Sequence, residues 1–334
     1  MRSGRFLRQW IGAAIFGLLG LWAGLPALAQ SDSAQLLPSG ASLCPPTHPP
    51  ERDYPPRTLV IGRLSDNPAA FAGALQPILD LMVRELADVG VIDGRILMAR
   101  DAAQMASYLR QGKVDWVGDT AAVALQLMDR GRAEPVAVVS KNGASQYRSL
   151  LVARSDSGIQ ALTDLAGRTF AFQNSSSTTA YYLPAGMLLE AGLRLEILSS
   201  PLDRPPPDLV GYAFARVPAN SAAWVHKRVV DAVAVSDQDW NNPKDFPPSF
   251  RNDLRVFARS PLVPRALELV RGDLDEALRE RLVGCLTGLH RSDAGQQILR
   301  SYFGAEQMLP STVEDRQALE NLRPWLQRVR EEVE

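Results

Sequence analysis

From Thr58 onward, short apolar runs alternate with longer runs of helical spacing, and that alternation restricts the chain to an α/β fold with crossover connections. TLVIG at Thr58–Gly62 reads as a strand. Phe71, Leu75, Ile78, Met82 and Leu86 then recur at the three- and four-residue intervals of one helix face. Strand Arg95–Ala99, helix Ala102–Gln111, strand Val114–Val117, helix Thr120–Arg130 and the strand PVAVVS follow. Tyr147–Asp156 is extended, a helix is predicted near Ile159–Leu165, RTFAF is a strand, and Thr179–Ala191 is a helix. After LEILSS the insert DRPPPD is a loop. Helix Ser221–Val229, strand DAVAV and a loop with Asp237, Asp239 and Trp240 come next. LRVFARSPLVP returns as a strand, and helices that include Asp273–Leu289 complete the chain.

Two segments share one plan. YLRQGKVDWVGDT and WVHKRVVDAVAVSD each run from a helix through Val-Asp (Asp115, Asp231) into a short apolar strand and a polar loop. The echo predicts two lobes of similar construction. Ligands of open α/β sheets bind beyond the carboxyl ends of the strands. There the echo places Gly118, Asp119 and Thr120 in one lobe, and Ser236, Asp237 and Asp239 in the other. As aspartates at strand starts, Asp115 and Asp231 are also suited simply to accept from turn donors.

The N-terminus marks the chain for export. Arg2, Arg5 and Arg8 precede an uncharged stretch from Gln9 to Ser31 with an apolar heart, Trp10–Leu25. Pro26 and the small residues of Ala27-Leu28-Ala29 favour a signal peptide (1–29), cleaved after Ala29, over an uncleaved anchor. A Ser- and Pro-rich leader (30–57) has no core of its own. The chain carries 36 basic and 37 acidic side chains; loss of three signal arginines leaves 33 against 37, net −4. With no basic stripe, nucleic acid is excluded as an expected partner. Cys44 and Cys285 are the only cysteines; in an oxidising compartment they either pair or stand as separate thiols. The three histidines are isolated, so no metal site is expected.

The segment with most chemistry is Ser175-Ser176-Ser177-Thr178-Thr179, between the end of a strand at Phe172 and the start of a helix. First-turn amides lack intrahelical partners and carry the positive end of the helix dipole, which makes an anion site. One hydroxyl suffices for a cap, and five in a row exceed that need. Hydroxyls add donors without charge, which suits a tetrahedral oxyanion that must later be released. An enzyme is not expected: Ser177 lies outside any G-x-S-x-G turn, and no His stands near it.

From about Thr58 to Pro264 the chain resembles the periplasmic phosphonate-, phosphite- and phosphate-type solute-binding proteins of ABC importers. The resemblance is carried by QGKVDWVGDTAAVAL, YRSLLVARSDSGIQALTDLAGRTFAF, SSTTAYYLP and VVDAVAV. The family reads Y-x-S, DSGI, DL-x-G, FAF and S-T-S-G-Y-x-x-P in this order. Here the last motif is Ser177-Thr178-Thr179-Ala180-Tyr181, with Thr and Ala replacing Ser and Gly. The resemblance implies a type II periplasmic binding protein: two α/β lobes, two hinge strands, and a ligand cleft that closes by hinge motion. It implies lobe 1 from 58–146 plus 258–334 and lobe 2 from 147–257. Oxyanion contacts would fall on Ser177, Thr178 and Thr179 with their backbone N–H groups, with Tyr147 closing over the ligand; Ser175, Ser176 and Tyr181 are further ligand-binding candidates. Gly118, Asp119 and Thr120 would face the cleft, and Asp237 or Asp239 would meet an ammonium on an amine-bearing phosphonate. Family members often carry a His before the helix preceding the V-D-A strand; this chain reads Arg216-Val217-Pro218-Ala219-Asn220, so Asn220 or Arg216 would substitute. The implied protein is a periplasmic monomer without cofactor, which hands a small phosphorus oxyanion to an inner-membrane permease. The alternatives are a sensor that signals to a membrane receptor or histidine kinase, or a binder of another small anion.

Overall fold

The structure is a computed structural model that describes residues 42–44, 54–65 and 69–334. The segment read as a signal peptide, and most of the leader, lie outside the described residues. The chain opens with β1 (Arg57–Leu64), α1 (Ala69–Glu85), β2 (Val91–Ala99), α2 (Ala102–Arg110), β3 (Trp116–Asp119), α3 (Ala121–Gly131) and β4 (Ala133–Ser140). A two-residue strand, β5 (Gln146–Tyr147), leads to β6 (Ser149–Arg154), β7 (Thr169–Phe172), α4 (Leu183–Glu190), β8 (Arg194–Ile197) and β9 (Leu209–Phe214). Next are α5 (Pro218–His226), β10 (Ala232–Ser236), α6 (Asp237–Asn241), α7 (Pro248–Arg251) and β11 (Leu254–Arg259). The chain ends in β12 (Val263–Pro264), β13 (Leu267–Arg271), α8 (Glu276–Gly288), α9 (Asp293–Ser301), β14 (Gln307–Pro310) and α10 (Val313–Glu332). Among the described residues no helix is long and apolar enough to cross a membrane.

Two six-stranded sheets form two lobes, ordered β14-β4-β13-β3-β1-β2 and β11-β6-β10-β7-β9-β8. The chain crosses between them twice. The two crossings pair as an antiparallel ribbon, β5 with β12, in which Tyr147 faces Val263 and Gln146 faces Pro264. α10 also joins the lobes. Its Arg323 bonds Asp129 of α3 in the first lobe, and Trp325 lies so close to Gly186 of α4 in the second that a Cβ there would come within 2.7 Å of it.

The repeated Val-Asp has a structural cause. Asp115 donates its amide to the Val60 carbonyl (2.9 Å) and accepts the Val60 amide on Oδ2 (2.8 Å). Asp231 closes the same two-bond ring with Thr169, at 3.0 and 2.8 Å. Both aspartates precede a strand whose parallel neighbour holds the partner, β1 for β3 and β7 for β10. The acceptors therefore serve a neighbouring strand and set strand register, which goes beyond satisfying a turn.

Several elements depart from the sequence reading. The helix expected near Ile159–Leu165 is a 3-10 turn over Leu162–Leu165, because Asp164 Oδ2 captures the amides of Gln160 and Ala161. The helix placed at Ser221–Val229 begins three residues earlier, since Pro218 occupies a first-turn position where its missing N–H costs nothing. Asp237 and Asp239 sit in the short helix α6, capped by Ser236, rather than in a loop. β9, β13 and β14 had no counterpart in the sequence reading. At the N-terminal edge Cys44 is disulfide-bonded to Cys285 of α8, with Cα atoms 5.1 Å apart. Glu85 accepts the amides of Leu43 and Cys44, and Arg281 donates to the Cys44 carbonyl at 2.9 Å, so the short segment is anchored on three sides.

Replacing Asp115 by Ala leaves the Val60 amide without its acceptor and removes the 2.9 Å bond from Arg271, which keeps Asp273. A loss of about 1–3 kcal/mol is expected. Thermal unfolding followed by circular dichroism should show a midpoint several degrees lower for Asp115→Ala, and a smaller fall for the isosteric Asp115→Asn.

Candidate functional site

β3 ends in Gly118-Asp119, and Thr120 precedes α3 as its N-cap in extended backbone. Thr120 caps nothing with its own side chain; instead Asp119 Oδ1 accepts the Thr120 amide at 2.7 Å. The first-turn amide of Ala122 is left to a residue of the other lobe: it donates to Thr178 Oγ1 at 2.9 Å.

Thr178 stands at an equivalent point in the second lobe. β7 ends at Phe172, and a five-residue π turn, Thr178–Tyr182, leads into α4 with Pro184 in its first turn. Ser177 caps this turn, accepting the Ala180 amide at 3.1 Å. Thr178 and Thr179 are buried, and the Tyr147 hydroxyl from the hinge ribbon lies next to both of their hydroxyls. Burial pushes the Tyr147 phenol up, and Arg265 opposes that with its guanidinium 5.0 Å from the ring centroid. Two helix starts, one from each lobe, and a hinge phenol thus converge on the two threonine hydroxyls. Such a group presents uncharged donors and the positive ends of two helices, which suits an anion.

The remaining candidates divide. Ser175 and Ser176 are exposed and line a cavity of about 1070 Å³ between the lobes. Ser176 donates to Asn174 Oδ1 at 2.8 Å. Tyr181 also lines that cavity but is 1 % exposed, its ring packed edge-on against Phe172, Tyr182 and Phe214. Asn220 donates its side-chain amide to the Ala215 carbonyl at 2.8 Å and does not line the cavity; Arg216 does. Asp237 and Asp239 line a second cavity of about 720 Å³ with Lys141 and Arg265. Burial raises the Asp239 carboxyl, while burial and then Arg265 lower the Lys141 ammonium. Among the described residues no three His, Cys, Asp or Glu side chains gather as metal ligands.

Sequence reasoning missed the groups behind the floor. Gly118 is backed by Glu268, which is 1 % exposed and accepts from Trp116 Nε1 at 2.6 Å and from the Tyr302 hydroxyl at 3.1 Å. Arg63 donates to the Gly118 carbonyl at 2.9 Å and lies over the rings of Phe303 and Phe71. Only the lone acidic residue in the apolar run LELV hinted at Glu268. Burial pushes its carboxyl up to about 7 against these donors and the Arg63 charge.

A two-lobed binding protein with an interlobe cleft is the class that this fold and site define. The family model for the phosphonate periplasmic substrate-binding protein of ABC transporters matches residues 63–315. The protein XAC2383 of Xanthomonas citri, solved bound to chloride ion, is 39 % identical over 83 % of this chain and 99 % of its own, with a TM-score of 0.78. Its structure bound to ATP compares at 38 % identity over the same shares, again at 0.78. PhnD1 of Prochlorococcus marinus, in complex with methylphosphonate, shares the fold at 16 % identity and a TM-score of 0.59, over 82 % of this chain and 98 % of its own. The chain belongs to the phosphonate-type family of periplasmic substrate-binding proteins, the solute-binding components of ABC importers that work with a membrane permease.

Two outcomes are expected. Thr178→Val leaves the buried Ala122 amide unpaired and lowers stability by about 1–3 kcal/mol, while Thr178→Ser retains the acceptor and stays near wild type; chemical denaturation separates the two. Glu268 holds a proton in the folded state up to about pH 7, whereas its ordinary value is 4.5. Its contribution to stability is therefore present below pH 4.5 and is lost as the pH rises towards 7. Glu268→Gln should flatten the fall in melting temperature across that window.

Proposed function

We propose that this protein captures a phosphorus oxyanion, a phosphonate, phosphite or phosphate group, in the interlobe cleft and releases it to a permease. The observation that carries this reading is the hydrogen bond from Ala122 to Thr178, with the Tyr147 hydroxyl on the same threonine pair. Donors from both lobes and from the hinge therefore meet at one place. In the bound state the oxyanion takes the acceptor role that Thr178 Oγ1 fills for Ala122, and the hydroxyls of Thr178, Thr179 and Tyr147 turn their protons to it. Closure follows from the geometry, because the full set of donors exists only when the lobes are together. A cradle of hydroxyls and amides binds without a formal ion pair, which keeps release possible. ATP in one relative and methylphosphonate in another support a phosphoryl or phosphonyl group as the part recognised. The import role is favoured over signalling by the family itself.

Thermal unfolding against phosphate, phosphite, methylphosphonate, 2-aminoethylphosphonate and sulfate tests the reading. A ligand at about one hundred times its dissociation constant adds roughly 2.7 kcal/mol, a shift of several degrees. A phosphorus oxyanion should give that shift, and Thr179→Ala combined with Tyr147→Phe should remove it. A shift with sulfate alone, or with nothing in the panel, sinks the phosphorus assignment. Asp239→Asn weakens 2-aminoethylphosphonate but not methylphosphonate if an ammonium group reaches the second cavity.

A further inference from the structure

The cleft is larger than a phosphorus oxyanion needs. Beside the threonine cradle lies the cavity of about 1070 Å³, walled by Val123 and Gln126 of α3 and by the Asn174–Ser176 loop that leads into the cradle. Drug-sized ligands occupy pockets of roughly 300–1,000 Å³. The part of this cavity away from the cradle combines fixed positive charge with exposed apolar surface.

Arg216 supplies the first of these. It follows β9 with φ +73, in the left-handed region where glycine is the economical residue. Arg132 and Arg228 adopt that region too, but they follow helix ends, where such a residue is common. Arg216 is exposed on the cavity wall, and among the described residues its guanidinium has no ion pair or hydrogen-bond partner. Arg63 enters from the first lobe, held by Phe303 and Phe71, with a buried Nε that has no partner among the described residues. The other charges in the cavity are already engaged. Arg100 pairs with Asp101, which also caps α2, and Glu334 accepts the Tyr182 hydroxyl at 2.9 Å.

Apolar surface faces these cations. Ile197, at the end of edge strand β8, is 61 % exposed and lines the same cavity. Phe214 is half-buried beside it, its ring fixed edge-on by Tyr181 and Tyr212 at 5.6 Å each. Exposed isoleucine and an immobilised phenylalanine next to the unpaired Arg216 guanidinium match a ligand with a flat apolar part and anionic charge. A guanidinium also stacks on such a ring.

We propose that the cavity is a second subsite, and that the solute is a phosphate ester carrying an aromatic base, of the mononucleotide class. The cradle takes its phosphoryl group, while Arg216, Phe214 and Ile197 hold the base. This rests on the oxyanion reading of the cradle.

The test is titration calorimetry on the full chain with adenosine 5′-monophosphate, ribose 5-phosphate and inorganic phosphate. The expected result is a dissociation constant for the nucleotide at least tenfold below that for ribose 5-phosphate. Arg216→Gly, which relieves the backbone and so keeps the protein folded, should weaken the nucleotide tenfold and phosphate by less than threefold. Ile197→Ser should weaken only the nucleotide. Equal affinity for all three probes overturns the subsite while leaving the cradle reading intact. Nucleotide binding that neither variant changes places the base elsewhere and also overturns it. If none of the probes binds, the cradle reading and the subsite fall together.

Discussion

In both lobes an aspartate immediately before a central strand closes a ring of two hydrogen bonds with the parallel neighbour, Asp115 with Val60 and Asp231 with Thr169. Parallel strands have no hairpin to set their register, so a side chain that locks one residue of each strand to the other does that work. Once the register is fixed at the start of β3 and β10, the far ends of these strands are fixed too. Gly118, Asp119 and Ser236 are then delivered to the cleft side, and α3 and α6 begin there. The placement of the functional residues follows from two carboxylates at the opposite ends of their strands.

In the proposed reading, recognition at the cleft depends on dipoles and hydroxyls more than on net charge. The cradle sets the α3 amide of Ala122 against Thr178, with Tyr147 across both threonines. Asp119, at the end of β3, has an oxygen engaged by the Thr120 amide. Full cations flank the cradle, Arg63 and Arg216 in the one cavity and Lys141 and Arg265 in the other, with Arg265 over the Tyr147 ring. An acidic chain can thus present a locally attractive site, because the attraction is assembled from backbone geometry and a few arginines rather than from composition.

Much of this was legible in the residues. The alternation of strands and helices gave the class, and the Val-Asp echo marked two strands that share one hydrogen-bond device. The run Ser175–Thr179 located a helix start at the cleft, with Thr178 and Thr179 inside and Ser177 occupied as the cap. What did not show has physical causes. β9 is a short apolar run, LVGYAF, with a glycine inside it and no alternation of apolar and polar residues, so its own pattern does not mark a strand. β13 inserts antiparallel between β3 and β4, a pairing over some 150 residues that no local pattern encodes. The Ala122 amide is invisible in a sequence because every residue but proline has one. Asp237 and Asp239 have the right chemistry for the cleft, yet Ser236 starts a helix that turns them towards Lys141 and Arg265.

α10 bears on how such a molecule moves. It begins beside the hinge, where Asp315 accepts from Gln146, crosses α3 through Arg323, and lies on α4 through Trp325 and Gly186. A two-stranded ribbon by itself lets one body bend and also twist against another. A third attachment off the ribbon's axis takes away the twist and leaves a single arc of opening. For the closure proposed above, the two halves of the cradle would then have one route apart and the same route back, so the donors would return in register each time without a search over orientations.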